Sequence, residues 1–446
     1  MSNVPKYKII QRENQKIVFF PQSMDIISIK PEDFEKITHE QLITCYENFL
    51  KRYHQKMQEK SPNLINGKII LSKIMLDLTD DCLLNCKYCY AAKYRQKKHM
   101  SKETIDKIIT KFFMSEEIAS VNRLVFFGGE PLLNLAGMEY FINRMEELLD
   151  KGKISKTPDF NIITSGTIYS QRISKLFKKY KMGILVSIDG PQELQNEQRP
   201  FRGTNNGSWD IVSRNIRRMI ADKQNISFEC TVTKHTLELG YSHKKLKNFF
   251  LEEFGLKTGS FVPEMTSIPE KAFSYYPNFY EKKNLYFQAL IELNSRDEMF
   301  EVPYRLIMKR PLGCACGLGS STFHILANGD IYPCQLIAGM EQYKITNIVS
   351  FNDSYFHKNN WIDRYKENSY KCNLCWAKPL CKFCPARQLI ESNSYTLPEK
   401  ACIERRELLE DLILKIIDLR NDPNQWEIFT QHLEEKSKII KENIYI

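Results

Sequence analysis

The 446-residue chain has 42% hydrophobic and 26% charged residues with 18 Gly and 18 Pro, a globular balance that excludes a fibrous or wholly disordered protein and allows two to three domains. Lysine and arginine exceed aspartate and glutamate by 64 to 54, a formal charge of +10. The excess is spread through mixed-sign stretches, with no interleaved basic and aromatic motif, so acidic partners are expected and nucleic acid is not. No run of 18 apolar residues and no secretory pattern is legible, so a cytoplasmic protein without membrane contact is expected.

In chain order, residues 1–70 read as a small α+β unit. Segments 7–10 and 16–20 flank a polar Arg12-Glu13-Asn14 turn as a hairpin, 26–29 adds a strand, and a helix runs from Pro31 or His39 to about Met57. Residues 58–67 resemble a linker. From 71 to 300 the pattern becomes α/β, with strands expected at 74–78, 124–127, 160–164, 184–188, 227–233 and 260–263. Helices are expected between them at 102–118, 136–150, 170–181, 208–223 and 242–254, with Ser101 as an N-cap. Such alternation implies parallel strands under covering helices, a partial (β/α)6 barrel whose site lies at the carboxyl ends of its strands. A further helix is expected at 277–296. Residues 301–410 are cysteine-rich, with metal replacing part of the core, and 411–446 form a helical tail broken at Asp422-Pro423.

Thirteen cysteines without a secretory pattern point to metal sites more than to disulfides. Cys45 and Cys230 stand alone and read as small buried hydrophobes. The other eleven fall in three groups. Cys82, Cys86 and Cys89 occupy one loop after the first barrel strand. Three thiolates there can hold three irons of a cubane and leave the fourth iron open, whereas structural zinc needs four closed ligands. Cys314, Cys316 and Cys334 follow, the last closing Asn328-Gly-Asp-Ile-Tyr-Pro-Cys. Cys372, Cys375, Cys381, Cys384 and Cys402 end the series; taken alone, 372–384 could equally be a zinc ribbon.

The Cys82-x3-Cys86-x2-Cys89 spacing, with Tyr88 before the last cysteine, resembles the signature of radical S-adenosylmethionine (SAM) enzymes. Gly128-Gly129-Glu130-Pro131 after the second strand resembles the segment that receives the SAM amino group in that family. Ser165-Gly-Thr167 after the third strand is similar to its ribose- or methionine-contacting turn, although the usual asparagine is replaced by Ser165. Ser187 and Asp189 after the fourth strand, Arg199 downstream and Tyr88 beside the adenine complete the cofactor-binding set that the resemblance implies. For Tyr88 the alternative is packing of the cluster loop.

Seven later cysteines resemble the SPASM extension, which binds two auxiliary 4Fe–4S clusters. The resemblance assigns Cys316, Cys334 and Cys384 to one cluster, with Cys314 as a possible fourth ligand, and Cys372, Cys375, Cys381 and Cys402 to the other. It implies a peptide (RiPP) maturase using SAM and three 4Fe–4S clusters, with a flavodoxin or ferredoxin as electron donor and a leader-bearing precursor peptide as substrate. A thioether or carbon–carbon cross-link is favoured over epimerisation. The 1–70 unit would be winged-helix-like and grip the leader, or simply cap the barrel. Glu264, ending the sixth strand, is the positional choice for a general base. The rivals are an anaerobic sulfatase maturase and a non-catalytic iron–sulfur or zinc interaction protein.

Overall fold

A computed structural model of the chain describes residues 5–12, 15–58, 64–65, 68–92, 95–204, 206–264, 305–309, 316–358, 370–381, 384–392, 399–427 and 429–431. Strands β1 (Lys8–Arg12), β2 (Gln15–Phe20) and β3 (Asp25–Ile29) pair antiparallel in that order. Successive side chains of β2 point to opposite faces, and both faces are covered. Val18 and Phe20 pack with Leu42 and Tyr46 of α2 (His39–Gln58), which follows the single turn α1 (Pro31–Phe34). Ile17 and Phe19 share a core with Trp376, Leu408 and Leu412 near the other end of the chain. Lys8–Glu410 at 2.9 Å and Arg12–Asp418 at 2.6 Å add ion pairs along the same seam.

The expected linker carries one short strand, β4 (Leu64–Ile65), and β5 (Lys68–Leu71) follows directly after it. After β6 (Lys73–Thr79) and α3 (Lys102–Phe113), β7 (Ile118–Val121) pairs in parallel with β5. The helix expected at 102–118 therefore ends at Phe113. Local periodicity could not show that 118–121 is captured by a distant strand, a tertiary override of propensity.

Next come β8 (Arg123–Gly128), α4 (Leu135–Asp150), β9 (Asp159–Thr164), α5 (Gln171–Lys179) and β10 (Gly183–Ser187). The series continues with α6 (Gln192–Gln198), α7 (Trp209–Ala221), β11 (Asn225–Val232), α8 (Lys234–Glu238), α9 (His243–Phe254) and β12 (Gly259–Pro263). Strands β6-β8-β9-β10-β11-β12 lie side by side and parallel, the six-unit barrel expected. Ser101, Ser170 and Ser242 start α3, α5 and α9 by accepting a backbone N–H two or three residues into the helix.

Strand β13 (Thr322–Ile325) adds to β6 in parallel, and β14 (Asp330–Tyr332) and β15 (Thr346–Asn347) continue antiparallel. The cysteine-rich part thus extends the barrel sheet to nine strands. It continues through α10 (Ser354–Lys358), α11 (Tyr370–Asn373), α12 (Pro385–Ser392) and α13 (Glu399–Asn421). At the expected break, the Asp422 carboxylate accepts from Asn424 and Gln425 backbone N–H groups and starts a new turn. The helix expected at 277–296, Cys314 and the chain beyond 431 lie outside the described residues. No described helix is long and apolar enough to cross a membrane.

The two faces of the barrel sheet differ. Outward residues such as Phe160, Ile162, Ile184, Val186 and Phe228 are buried under the helices. On β9 to β11 the inward face carries Asn161, Ser187, Ser227 and Glu229 beside Ile163 and Leu185, each only partly covered. A complete barrel of this kind fills its centre with branched aliphatic side chains. Polar, half-covered residues there leave an interior for a ligand.

Candidate active site

The cysteine loop is held from three directions. Asp80 accepts the backbone N–H groups of Gln96 and Lys98 at 2.9 and 2.6 Å, and Asp81 accepts that of Cys82 at 2.9 Å and pairs with Arg202. The 198–202 segment runs beside the loop, with Asn85 donating to the Pro200 carbonyl, Lys87 to Gln198 and Arg202 to Leu83. From below, Gly129 donates to the Thr79 carbonyl at 2.8 Å and Glu130 to that of Asp81 at 2.7 Å. A Cβ on Gly128 would lie 2.1 Å from the Thr79 oxygen, and one on Gly129 2.0 Å from the Asp81 oxygen. The glycine pair therefore serves a close approach to the backbone that carries Cys82.

Guanidinium groups face the sulfurs. Arg95 donates to Cys89 Sγ at 3.1 Å and to the Leu84 carbonyl at 3.1 Å, and Arg199 lies 4.0 Å from Cys86 Sγ. Burial pushes the Cys82 thiol up and the Cys86 thiol up to about 12, so each stays protonated unless a metal displaces its proton. Three thiols with cationic neighbours suit an anionic, thiolate-held cluster. Arg95 was not legible in the sequence, because it lies in a polar stretch without periodicity.

The other sequence-selected residues converge next to this loop. Asp189 is fully buried; its carboxylate accepts from Tyr88 Oη at 2.6 Å and the Thr231 N–H at 3.1 Å, and pairs with Arg199 at 3.0 Å. The Arg199 guanidinium stacks over the Tyr88 ring at 5.2 Å, and its Nε is buried without a partner. Burial first, and then Asp189 against the pull of Arg199, pushes the Tyr88 phenol well above its usual range. These three residues form one buried knot behind the loop. Glu130 is also fully buried and accepts from Leu132 N, Thr164 Oγ1, Ser165 N and Ser165 Oγ. Its side chain ties the second strand's turn to the third's, so an approaching cation meets the Gly128–Glu130 backbone, not this carboxylate. Pro131 opens the short helical turn that follows. Ser165 and Thr167 hydroxyls meet at 2.8 Å, and Ser187 ends β10 on the inward face. Glu264 follows β12, its N–H bonded to the Val232 carbonyl.

The interior also gathers residues that the sequence did not single out. Tyr90 lies within electrostatic reach of Asp77, Cys334, Cys89 and Glu229, and with burial as the main cause its phenol is pushed well above its usual range. It stands between the first cysteine loop and the extension. Burial pushes the Glu229 carboxyl up, opposed by Arg199. Burial lowers Lys73, opposed by the Cys334 and Cys316 thiols. Asp77 approaches His324 Nε2 at 3.1 Å. A charge inside the apolar 74–78 strand was the signal that could have found Asp77.

In the extension, Leu318, Ile337 and Ala386 form a small core with Cys334 against it. Cys316 and Cys384, both exposed, lie two residues along the chain from Leu318 and Ala386 of that core. Cys372, Cys375, Cys381 and Cys402 line one cavity of about 260 Å3 together with Arg405 and Arg406. Burial first, then Cys381, Glu399 and Cys372, pushes the Cys402 thiol up to about 11. Among the described residues, no three His, Cys, Asp or Glu side chains are grouped closely enough to hold a metal ion. Zinc draws four donors to about 2.3 Å of one point, whereas a cubane spreads its ligands over separate irons. Four cysteines lining one cavity are a donor set that suits a zinc ion or an iron–sulfur cluster.

The sequence pattern of the Radical SAM superfamily matches residues 76–239. The chain is 25% identical over 341 residues to a cysteine-type anaerobic sulfatase-maturating enzyme of Clostridium novyi (strain NT), covering 70% of this chain and 87% of that one. It is 29% identical over 213 residues to the radical SAM cyclopropyl synthase TigE of Paramaledivibacter caminithermalis, 43% of this chain and 42% of that one. Among solved structures, native anSMEcpe with bound AdoMet and Kp18Cys peptide superposes with a TM-score of 0.62 at 20% identity, covering 78% of this chain and 99% of that one. Streptococcus suis SuiB bound to precursor peptide SuiA gives 0.52 at 14%, covering 88% and 97%; both likenesses speak for the fold. The loop, the glycine turn and the buried knot at successive strand ends all lie within the matched span, and residues 76–239 form a radical SAM domain.

Proposed function

We propose that this enzyme modifies a ribosomally made precursor peptide, forming a thioether or carbon–carbon cross-link. The family implies SAM and a 4Fe–4S cluster, which when bound supply a 5′-deoxyadenosyl radical able to abstract hydrogen from a substrate C–H bond. Cys82, Cys86 and Cys89 would hold that cluster. The Gly128–Glu130 backbone, Ser165, Thr167 and Ser187 would border SAM, while Tyr88, Asp189 and Arg199 fix the loop behind it. Cys316, Cys334 and Cys384, with Cys314 as fourth ligand, would hold one auxiliary cluster; Cys372, Cys375, Cys381 and Cys402 would hold another. A cross-link loses one electron more than hydrogen abstraction removes, and auxiliary clusters provide its acceptor. We assign the accompanying proton to Glu264, which follows β12, or to Glu229 on the inward face.

The observation that carries the reading is the half-covered, partly polar inward face of β9–β11, next to the cysteine loop, with Tyr90 within electrostatic reach of both Cys89 and Cys334. A peptide substrate accords with the relatives solved with peptides. Residues 1–70 would bind the leader. Among the described residues β3 is an outer strand of its sheet, able to accept an added peptide strand. The domains proposed are 1–70, a 71–300 barrel, a 301–410 auxiliary-cluster region and a 411–446 tail. Sulfatase maturation is the second reading, favoured by the length of the match to the Clostridium novyi enzyme. Coexpression with peptides encoded beside this gene, followed by mass spectrometry, tests the first: loss of two hydrogens is expected. An unchanged peptide mass, together with conversion of a sulfatase cysteine or serine, would overturn it.

A further inference from the structure

The buried apolar residues divide into separate bodies. The barrel and strands β13–β15 share one core, whose buried members run from Leu71 to Phe351. A second core joins the two ends of the chain: Ile17 and Phe19 of the N-terminal sheet meet Trp376, Leu380, Leu408 and Leu412. Among the described residues, none of its members lies between Tyr53 and Leu306. Phe19 meets the Trp376 ring edge-on at 5.9 Å, and Lys8 Nζ lies 5.7 Å from the centre of the same ring. The Lys8–Glu410 and Arg12–Asp418 pairs along this seam are partly exposed and add little. Apolar contact therefore carries the docking of the sheet.

The surface on which the sheet docks is the back of the four-cysteine cavity. Trp376 follows Cys375 and Leu380 precedes Cys381, and Cys375 itself both lines the cavity and packs against the second core. Helix α13 is shared in the same way: Cys402 and Arg406 line the cavity, while Leu408 and Leu412 enter the core. From Cys372 to Cys381 the backbone is a run of turns, with Cys375 donating to the Cys372 carbonyl at 3.1 Å, Lys378 to Cys375 at 3.1 Å and Leu380 to Ala377 at 3.0 Å. Single turns offset little of the entropy lost in ordering a chain, so the places of Trp376 and Leu380 depend on what the thiols hold. We propose that the cavity is a metal-dependent clasp for the N-terminal sheet. A metal group on Cys372, Cys375, Cys381 and Cys402 fixes Trp376 and Leu380, and through them the sheet; loss of the metal releases the sheet from the extension. The proposal rests on the reading above that these four thiols hold a metal group, and it holds for zinc and iron–sulfur alike, because binding and local folding share one free energy. The coupling is reciprocal, so a docked sheet also retains the metal.

The test follows amide hydrogen exchange in the full-length protein, reconstituted anaerobically with iron and sulfide, and needs neither SAM nor peptide. Cys372→Ala combined with Cys402→Ala is expected to lower the metal content and to speed exchange across β2 about tenfold, while β10 in the barrel core exchanges as before. In the reverse direction, Phe19→Ala is expected to speed metal release to a chelator about tenfold. Phe177→Ala, which removes an equally buried phenyl from the barrel core, is expected not to. Release is read with Cys82, Cys86 and Cys89 replaced by Ala, so that the extension supplies the metal, and zinc is assayed beside iron. Should a variant not fold, wild-type protein stripped by chelator keeps the test: β2 must exchange faster than in the loaded protein, and β10 must not. Unchanged β2 exchange after metal loss, or equal release from the two phenylalanine variants, would overturn the proposal. A double cysteine variant with wild-type metal content would instead overturn the ligand assignment beneath it.

Discussion

Gly129 gives the sharpest test of how the second strand's turn supports the cysteine loop. An alanine Cβ would sit 2.0 Å from the Asp81 carbonyl oxygen and 2.5 Å from its carbon, where real Cβ contacts essentially never fall below 3.0 Å. About 1 Å must open, and the obstacle is backbone, not a side chain that can swing away. The displaced segment carries Cys82 on its next residue. The movement also breaks or stretches the hydrogen bonds from Gly129 N to Thr79 and from Glu130 N to Asp81, now 2.8 and 2.7 Å. Two buried backbone bonds lost together cost roughly 2–4 kcal/mol, and an active site misplaced by about 1 Å loses about 100-fold in rate. Gly129→Ala is therefore expected to lower thermal stability, to reduce iron bound at the first loop, and to slow 5′-deoxyadenosine formation under dithionite by about 100-fold. Gly152→Ala is the control. Nothing lies within 4 Å of its added Cβ, and only the strain of a positive φ remains, about 1–2 kcal/mol. If Gly129→Ala binds iron and cleaves SAM as the wild type does, the steric argument is wrong.

Two further outcomes follow from the same geometry. Replacing Cys82, Cys86 and Cys89 together by Ala should abolish 5′-deoxyadenosine while the iron of the extension persists; continued SAM cleavage would refute the ligand assignment. Burial raises the Glu130 carboxyl despite hydrogen bonds from Ser165, Thr164 and Leu132, so the folded protein holds this proton to higher pH than the unfolded chain does. Its contribution is complete below the unfolded value, about 4.3, and is lost as pH rises through the folded value. Glu130→Gln should flatten that part of a curve of urea midpoint against pH, and parallel curves for the two proteins would contradict it.

The sequence alone determined a good deal here. Short apolar runs alternating with amphipathic stretches, and the Ser101 cap, marked the six barrel strands and the helices expected between them, because each is set by neighbours in the chain. The cysteine spacings grouped the thiols, and four of the five in the last group, Cys372, Cys375, Cys381 and Cys402, line one cavity. Spacing could not tell which polar residues face a ligand and which face one another. Glu130, Asp189, Arg199 and Tyr88 were selected as a list, and the tertiary structure shows their side chains bonded within the protein. Those contacts span from 10 to more than 100 residues and depend on strand ends meeting at one rim. The same holds for β7, which turned the end of a helical pattern into a strand by pairing with β5. It holds for β13, which joins the extension to β6, and for the N-terminal sheet packed against Trp376 and Leu412. Local chemistry is written in the order of residues. Which face meets which other face is decided only when the burial of distant apolar surfaces brings them together.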